Sequence, residues 1–512
     1  MTALPDDLDD ANDPEAFNAL IRDQDAVDTA PLVEFLPKLL QGQRRQVLES
    51  PLAGVDGVHY TDVGNADRLI AAYGEQLRYV PIWGRWLVFS GGRFRLDHGD
   101  TLVSHLVAEV ARDLLQRIGE VRGDTKATGD LIRWIRRTES AAGISATLTV
   151  AATRPGVAID HEALDANPWL LNVTNGTVNL RTGVLQDHSP TDLLTMRANV
   201  AYQPNAQAPQ WTGFIAQILP DTGVARFVQR LAGLALLGLQ LEHLLVILLG
   251  FGANGKSTLT KVFASVLGDY AVVASRDVLL ALKHDSHPTA KADLFRRRLA
   301  HSGELPPAAK LDEAQVKELT GGDRIKARRM REDFWEFDPS HLLWLHANHR
   351  PLIEGTDDGI WRRVILVPFE VQILVGERDP HLADRILRDE APGVFAWMLS
   401  GLADYLEHGL QIPDTVSAAT QAYRNESDTV AAFFTETNII FDDTKRWITT
   451  TDLLAAHGEW FAAAGPAESE KAHYQRVVTA LKERGITQRR DRQRGRYWPG
   501  VGMASEQGCT TP

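Results

Sequence analysis

The sequence predicts an α/β fold organised around one buried strand that breaks into a glycine loop. Leu244 to Leu249 is a short aliphatic run with the length and β-branched content of a strand covered on both faces. Gly250-Phe251-Gly252-Ala253-Asn254-Gly255-Lys256-Ser257-Thr258 follows at once. Ser257 to Val266 then carries apolar residues at helical spacing, Leu259, Val262, Phe263 and Val266. The glycines let the backbone turn tightly with its N–H groups inward. In a strand, loop and helix context, the spacing G-x-x-x-x-G-K-S is that of a phosphate-binding loop. Lys256 is placed to reach the β- and γ-phosphates and Ser257 to hold a magnesium ion.

Composition bounds what surrounds this unit. At 512 residues, the chain has room for roughly three to four domains, and 44% hydrophobic content suffices for their cores. One cysteine, Cys509, has no partner in its own chain, which points to a reducing compartment. The longest apolar run is too short for a bilayer and the chain opens on Asp6, Asp7, Asp9 and Asp10, so a cytoplasmic protein without membrane contact is expected. A formal charge of −13 excludes a chain coated in nucleic-acid-binding surface and leaves room for local basic patches.

Residues 1–64 read as an acidic tail followed by an amphipathic helix near Leu32 to Leu48. Residues 65–204 read as an α+β module. It has a helix at Asn65 to Tyr73, strand-like residues from Tyr79 to Phe89 around Trp83-Gly84-Arg85-Trp86, and a turn at Gly91-Gly92. Helices follow through residues 100–145, where Lys126 to Arg137 mixes basic and apolar residues and reads as a solvated helix side, with a nucleic-acid face the alternative, and Asn167 to Gly183 forms a hairpin about an Asn-Gly turn. Pro204 to Pro209 has the composition of a linker, and the second domain, 205–410, begins with helices from Trp211 to Leu239.

Beyond the glycine loop, a helix carrying Arg296-Arg297-Arg298 is expected to run into a short strand, Leu299 to Glu304, that ends in a carboxylate. Glu304 has the chemistry to orient or deprotonate an attacking water and to help order magnesium. The alternative is a surface glutamate in the loop before Pro306-Pro307. A helix from Glu313 to Leu319 leads to Gly321-Gly322-Asp323 and the cluster Arg324, Lys326, Arg328, Arg329 and Arg331, returning through Phe334-Trp335-Glu336-Phe337. This is a projecting β-hairpin with a positive tip, suited to a phosphate backbone or to solvent alone. His341 to Ala347 is a buried strand ending at Asn348, placed to hydrogen-bond a γ-phosphate or its water. Arg362-Arg363 precede another strand, where one of them can act on a neighbouring subunit's γ-phosphate and ion pairing is the bland alternative.

Val394 to Leu410 reads as helix and residues 411–445 as a linker, with Asp414 to Asp428 a polar helix or part of that linker. Residues 446–505 have a winged-helix outline. A helix spans Thr449 to Phe461, a groove-reading helix Glu468 to Arg484, and a wing carries Arg489, Arg490, Arg492, Arg494 and Arg496 beside Tyr497 and Trp498.

Taken together, the glycine loop, Ser302-Gly303-Glu304, Leu319-Thr320-Gly321-Gly322-Asp323, Leu343-Trp344-Leu345 ahead of Asn348-His349, and Gly355 to Arg363 closely resemble the superfamily 3 helicase module of the phage and plasmid primase-helicase family, related to the poxvirus primase-helicase. The resemblance spans roughly residues 205–375, and Tyr79 to Pro209 is similar to the module that precedes it in that family. It implies an AAA+-like P-loop ATPase core, with ATP and Mg2+ as cofactors and Gly250, Gly252, Ala253, Asn254, Gly255, Lys256, Ser257 and Thr258 on the nucleotide. Lys256 and Ser257 would be the Walker A pair, Glu304 the Walker B glutamate, Asn348 the sensor, and Arg362 or Arg363 the arginine finger. Ser257 and Glu304 would hold the metal. Lys326, Arg328 and Arg329 on the hairpin, with Arg490 and Arg494 on the wing, would contact DNA. The implied partners are single-stranded and forked DNA, five further copies in a homohexamer, and a separate primase with replication proteins, in a bacterial host cytoplasm.

Two departures stand out: His301 where an aliphatic residue is expected, and Gly303 where many helicases place a second acid. A nucleotide-switched origin-binding initiator without processive unwinding is the alternative function. A small-molecule kinase leaves the hairpin and wing unexplained. Primer synthesis is not expected, since residues 1–150 pair carboxylates only at Asp6-Asp7 and Asp9-Asp10.

Overall fold

The computed structural model describes residues 60–503, apart from 117, 119–123, 282–287, 307–308, 330–332, 356, 442–445 and 465–468. The expected tail and helix before residue 60, Arg331 and Cys509 lie outside the described residues.

The upstream module opens with α1 (Asp62–Tyr73), whose first turn is capped by Thr61: its hydroxyl accepts the Gly64 N–H at 3.1 Å. Strands β1 (Leu77–Val80), β2 (Arg85–Ser90) and β3 (Arg93–Leu96) form an antiparallel sheet. Helices α2 (Thr101–Gln116), α3 (Thr125–Thr138) and α4 (Ala141–Ala151) follow; Leu69, Trp86, Val88, Leu106, Val107 and Leu148 build a core shared by α1, α2, α4 and the sheet. On α3, Leu131, Trp134 and Ile135 face inward while Arg133, Arg136 and Arg137 stay exposed, which is the amphipathic pattern of a solvated helix side. A second antiparallel sheet comprises β4 (Leu170–Val173), β5 (Gly176–Asn179) and β6 (Val184–Gln186); its first turn is Thr174-Asn175, one residue before the expected Asn-Gly pair, with Gly176 already opposite Val173.

Helices α5 (Pro209–Ile218) and α6 (Thr222–Leu234) lead into the α/β domain. Its elements in order are β7 (Leu245–Leu249), α7 (Lys256–Leu267), β8 (Ala271–Val273), α8 (Pro288–Ala292), β9 (Leu299–Ser302), α9 (Glu313–Thr320), β10 (Ile325–Ala327), β11 (Trp335–Phe337), β12 (Leu342–Ala347), α10 (Asp358–Trp361) and β13 (Val364–Pro368). Five of the strands make one parallel sheet in the order β13-β7-β12-β9-β8, and β10 pairs with β11 as a separate hairpin. A parallel sheet is covered on both faces, and β7 and β12 are accordingly buried almost throughout. Trp211, Phe263 and Trp344 pack edge to face on one side of it, with ring centroids 5.3 and 5.6 Å apart.

The structure corrects three expectations. Arg296-Arg297-Arg298 do not lie on a helix: α8 ends at Ala292, and Arg296 sits in a turn with φ +57°. The tertiary demand on Arg298 outweighs helical propensity. It is 2% exposed, its guanidinium lies 4.4 Å over the Tyr270 ring, and it donates to the carbonyls of Leu236 and, at 2.6 Å, Leu170 of β4, tying the upstream sheet to the α/β domain. Second, the helix after β13 is α11 (Leu382–His408), which starts well before Val394 and passes through Pro392. Buried Glu390 in its middle accepts the Gln210 and Trp211 N–H groups at 3.0 and 2.9 Å, capping α5 from a distance. Third, within the expected linker at 411–445, the described residues 414–441 are mostly helix and strand. Helix α12 (Asp414–Ser427) packs on β13, where Thr420 Oγ1 accepts the Leu366 N–H at 3.0 Å. Helix α13 (Thr429–Glu436) and β14 (Ile439–Phe441) already belong to the C-terminal core.

That core gathers Phe433, Ile448, Leu453, Trp460, Val477, Leu481 and Trp498. They come from α13, β15 (Trp447–Thr449), α14 (Thr450–Ala464), α15 (Glu470–Glu483) and β17 (Gly495–Pro499). The last strand forms an exposed antiparallel hairpin with β16 (Arg489–Asp491), and β18 (Val501–Met503) pairs with β14.

Candidate functional site

The loop between β7 and α7 leaves the sheet at its carboxyl edge, where open α/β sheets hold their ligands. Gly252, Ala253 and Gly255 take positive φ, +88°, +49° and +83°. A side chain at Gly255 would meet Ile218 and Phe214 of α5, so only glycine fits between loop and helix. Gly255 is also the N-cap of α7 and offers no side-chain oxygen to the first N–H groups of that helix. They are left as donors for an anion.

Lys256 begins α7 and is 5% exposed. Its ammonium donates to the Gly250 carbonyl at 2.6 Å, Asn254 Oδ1 at 3.0 Å and Asn348 Oδ1 at 3.2 Å. Burial pushes its pKa down to about 8, against the opposing pull of Glu304. Asn348 arrives from the end of β12, the strand beside β7. Glu304 arrives from the end of β9, one strand further on. Together Gly252 to Thr258, Glu304 and Asn348 line one cleft of about 360 Å3.

The opposite wall was invisible in local sequence: Phe214 and Gln217 of α5, and Ile373, Arg378 and Asp379 after β13. The Ile373 N–H donates to the Ala253 carbonyl at 2.8 Å, which pins this segment to the loop. His346, also on the cleft, shares a 2.6 Å hydrogen bond with Thr260 of α7. Burial pushes its pKa down to about 3, and that of His301, the unexpected residue on β9, to about 4. Both rings are therefore neutral at pH 7. β9 is an interior strand between β12 and β8, and a neutral imidazole is accommodated there.

Arg362 and Arg363 are not brought to this cleft. They precede β13, which runs parallel to β7 with Val364 opposite Leu245 and Pro368 opposite Leu249. The loop leaves the far end of β7, so roughly 15 Å of strand separates them from it. Arg363 donates to the Gly359 carbonyl at 2.5 Å, whereas the exposed Arg362 side chain makes no hydrogen bond or ion pair among the described residues.

The β10–β11 hairpin buries Ile325, Ala327, Trp335 and Phe337 at its base and exposes Lys326 and Arg329. Lys326 and Arg328 lie 5.2 and 4.7 Å from the ring of half-exposed Phe334. Arg324, expected in the positive tip, is instead ion-paired with Glu162 of the upstream module. In the C-terminal domain, Arg490 stands exposed on β16, and the Arg494 guanidinium lies 4.9 Å over Trp447 and 5.4 Å over Tyr497.

Residues 66–220 match the family described as D5 N terminal like. The protein named "Putative helicase L207/L206" of Acanthamoeba polyphaga mimivirus is 28% identical over 322 residues, covering 58% of this chain and 33% of its own length. "Putative primase C962R" of African swine fever virus (strain Badajoz 1971 Vero-adapted) is 24% identical over 327 residues, covering 59% of this chain and 34% of its own. The chain thus spans about a third of the length of these curated relatives. Among solved structures, the apo structure of the NrS-1 C terminal region aligns with 83% of this chain and 96% of that one, at 10% identity and a TM-score of 0.48, too distant to carry residue roles. Among the described residues, no helix is long and apolar enough to cross a membrane. A D5 N-terminal-like region and helicase- and primase-named viral relatives are features that fit a primase-helicase-like family.

Proposed function

We propose that the chain is an ATP-dependent replicative DNA helicase of a phage or other mobile element, with an AAA+-like P-loop core and a C-terminal winged helix, translocating on single-stranded DNA as a hexameric ring. The observation that carries this is the convergence of Lys256, Asn348 and Glu304 on one cleft from the ends of β7, β12 and β9, with two arginines held at the far end of the same sheet. Lys256 exchanges its carbonyl and amide partners for the β- and γ-phosphates of ATP, Glu304 orients the attacking water, and Asn348 holds the γ-phosphate or that water. The Ser257 hydroxyl and the Glu304 carboxylate on the same cleft fit a hard, oxygen-seeking cation. Mg2+ bound there would neutralise charge on the phosphates. Movement on DNA is assigned to Lys326, Arg328 and Arg329, and duplex contact to Arg490 and Arg494.

A forked substrate with a labelled strand tests the function. ATP-dependent strand displacement by the purified chain is expected. ATP-dependent binding without displacement would favour the origin-binding initiator, the reading to which Gly303, in place of a second acid, lends weight. Absence of primer synthesis is part of the same proposal; the relative named as a primase is matched over only a third of its length. The relatives come from viruses of eukaryotes and give the expected bacterial host no support.

Nucleotide binding should also take up protons. With its pKa held down to about 8, Lys256 is partly neutral at pH 8 to 9, and incoming phosphates favour its charged form. Affinity for ATP is expected to fall as pH rises through that window. Titration calorimetry in buffers of different ionisation enthalpy should show proton uptake, and release or no exchange at pH 8.5 would reject the lysine contact.

A further inference from the structure

The two sides of the hairpin differ in what they face. Lys326 and Arg328 share one side with Phe334, whereas Arg329 turns the other way, toward the upstream module. There it lines a narrow cleft of about 110 Å3 with Trp83, Arg85, Leu96, Asp97 and His98. Among the described residues, neither Arg85 nor Arg329 has a hydrogen-bond or ion-pair partner on the protein. The single carboxylate in the wall is already committed. Asp97 accepts the Leu102 N–H at 3.1 and 2.9 Å and the Val103 N–H at 2.9 Å, closing the first turn of α2. Two guanidiniums converging on a cleft with no free acid between them make a site for an anion.

The two walls are fastened together. Trp83 packs edge-on against Trp335 of β11 and Phe295, with centroids 6.2 and 5.8 Å apart. His161 shares a 3.2 Å hydrogen bond with the Glu336 carbonyl, and Glu162 pairs with Arg324 at the foot of β10. Whatever the hairpin holds is therefore presented to a fixed neighbouring surface.

We propose that the upstream module and the hairpin together form a subsite for one nucleotide of single-stranded DNA. Arg85 and Arg329 take a phosphate, and Trp83 offers its ring to the adjoining sugar or base. The cleft is too narrow for a duplex. This rests on the reading that the hairpin holds the strand through Lys326 and Arg328.

The test uses the full chain and a dye-labelled oligothymidylate, with affinity measured by fluorescence anisotropy over a series of salt concentrations. Arg85→Ala should weaken binding about three- to tenfold and reduce the slope of log affinity against log salt by about one, and Arg85→Glu should weaken it further. Lys326→Ala and Arg328→Ala serve as references. If these two weaken binding while both Arg85 variants match the parent, the subsite is overturned and the hairpin reading stands. If none of the four changes affinity, the hairpin reading itself fails and the subsite with it. An Arg85→Ala loss equally large on a blunt duplex of the same length would overturn the assignment to single strands.

Discussion

Lys256→Ala is expected to lower ATP turnover by about 10²- to 10³-fold or more while leaving the chain folded. The ammonium is held by the Gly250 carbonyl, Asn254 and Asn348, and burial works against its charge. Removing a desolvated cation relieves a penalty as well as breaking three hydrogen bonds, so stability should change far less than activity. The thermal unfolding midpoint should therefore stay near that of the parent while steady-state hydrolysis disappears. DNA-stimulated hydrolysis surviving in this variant would sink the assignment of the cleft. Asn348→Ala separates the two roles of its amide: if it only parks the lysine, turnover should persist, and if it also holds the γ-phosphate, turnover should fall with ATP still bound.

The glycine loop and its flanks were legible because each step is local. An aliphatic run followed by glycines and Lys-Ser constrains a strand, a turn and a helix within about 25 residues, and β7 and α7 fall where the periodicity puts them. Asn348 and Glu304 were legible for a related reason, each following a short apolar run that becomes a strand of the same sheet. The other wall of the cleft has no such signal. Ile373 and Arg378 lie more than 100 residues beyond the loop, on an irregular segment fixed by one backbone hydrogen bond to Ala253. Arg298 and Arg324 were misread for the opposite reason. Within a basic run every arginine looks alike, and only the fold shows that one is buried on Tyr270 and another is neutralised by Glu162, some 160 residues away in sequence. Residues 411–445 looked like a linker because α12 is polar on most of its surface, and its contact with β13 depends on a few positions such as Val416, Thr420 and Tyr423.

The second large effect concerns the arginines that the fold keeps from their own cleft. Arg362→Ala should lower turnover about 10³-fold or more if its guanidinium completes a neighbour's site, because a trans arginine stabilises charge that develops on the transferred phosphoryl group. Geometry favours Arg362 over Arg363. Arg362 is exposed and makes no hydrogen bond or ion pair among the described residues, whereas Arg363 is half-buried and holds the Gly359 carbonyl, so its loss should act partly through the turn ahead of β13. Mixing isolates the trans requirement. Lys256→Ala and Arg362→Ala should each be inactive alone, yet assemblies of both should recover hydrolysis, since some interfaces would pair an intact Lys256 with an intact Arg362 from the adjacent copy. Dilution below the concentration at which copies associate should abolish that recovery and parental activity alike. Nearly unchanged rates for both Arg362→Ala and Arg363→Ala would reject the finger. Recovery absent from the mixture, with each variant shown to associate, would mean that Arg362 acts within its own chain, and the roughly 15 Å of strand between it and the loop would have to close by a change in the sheet.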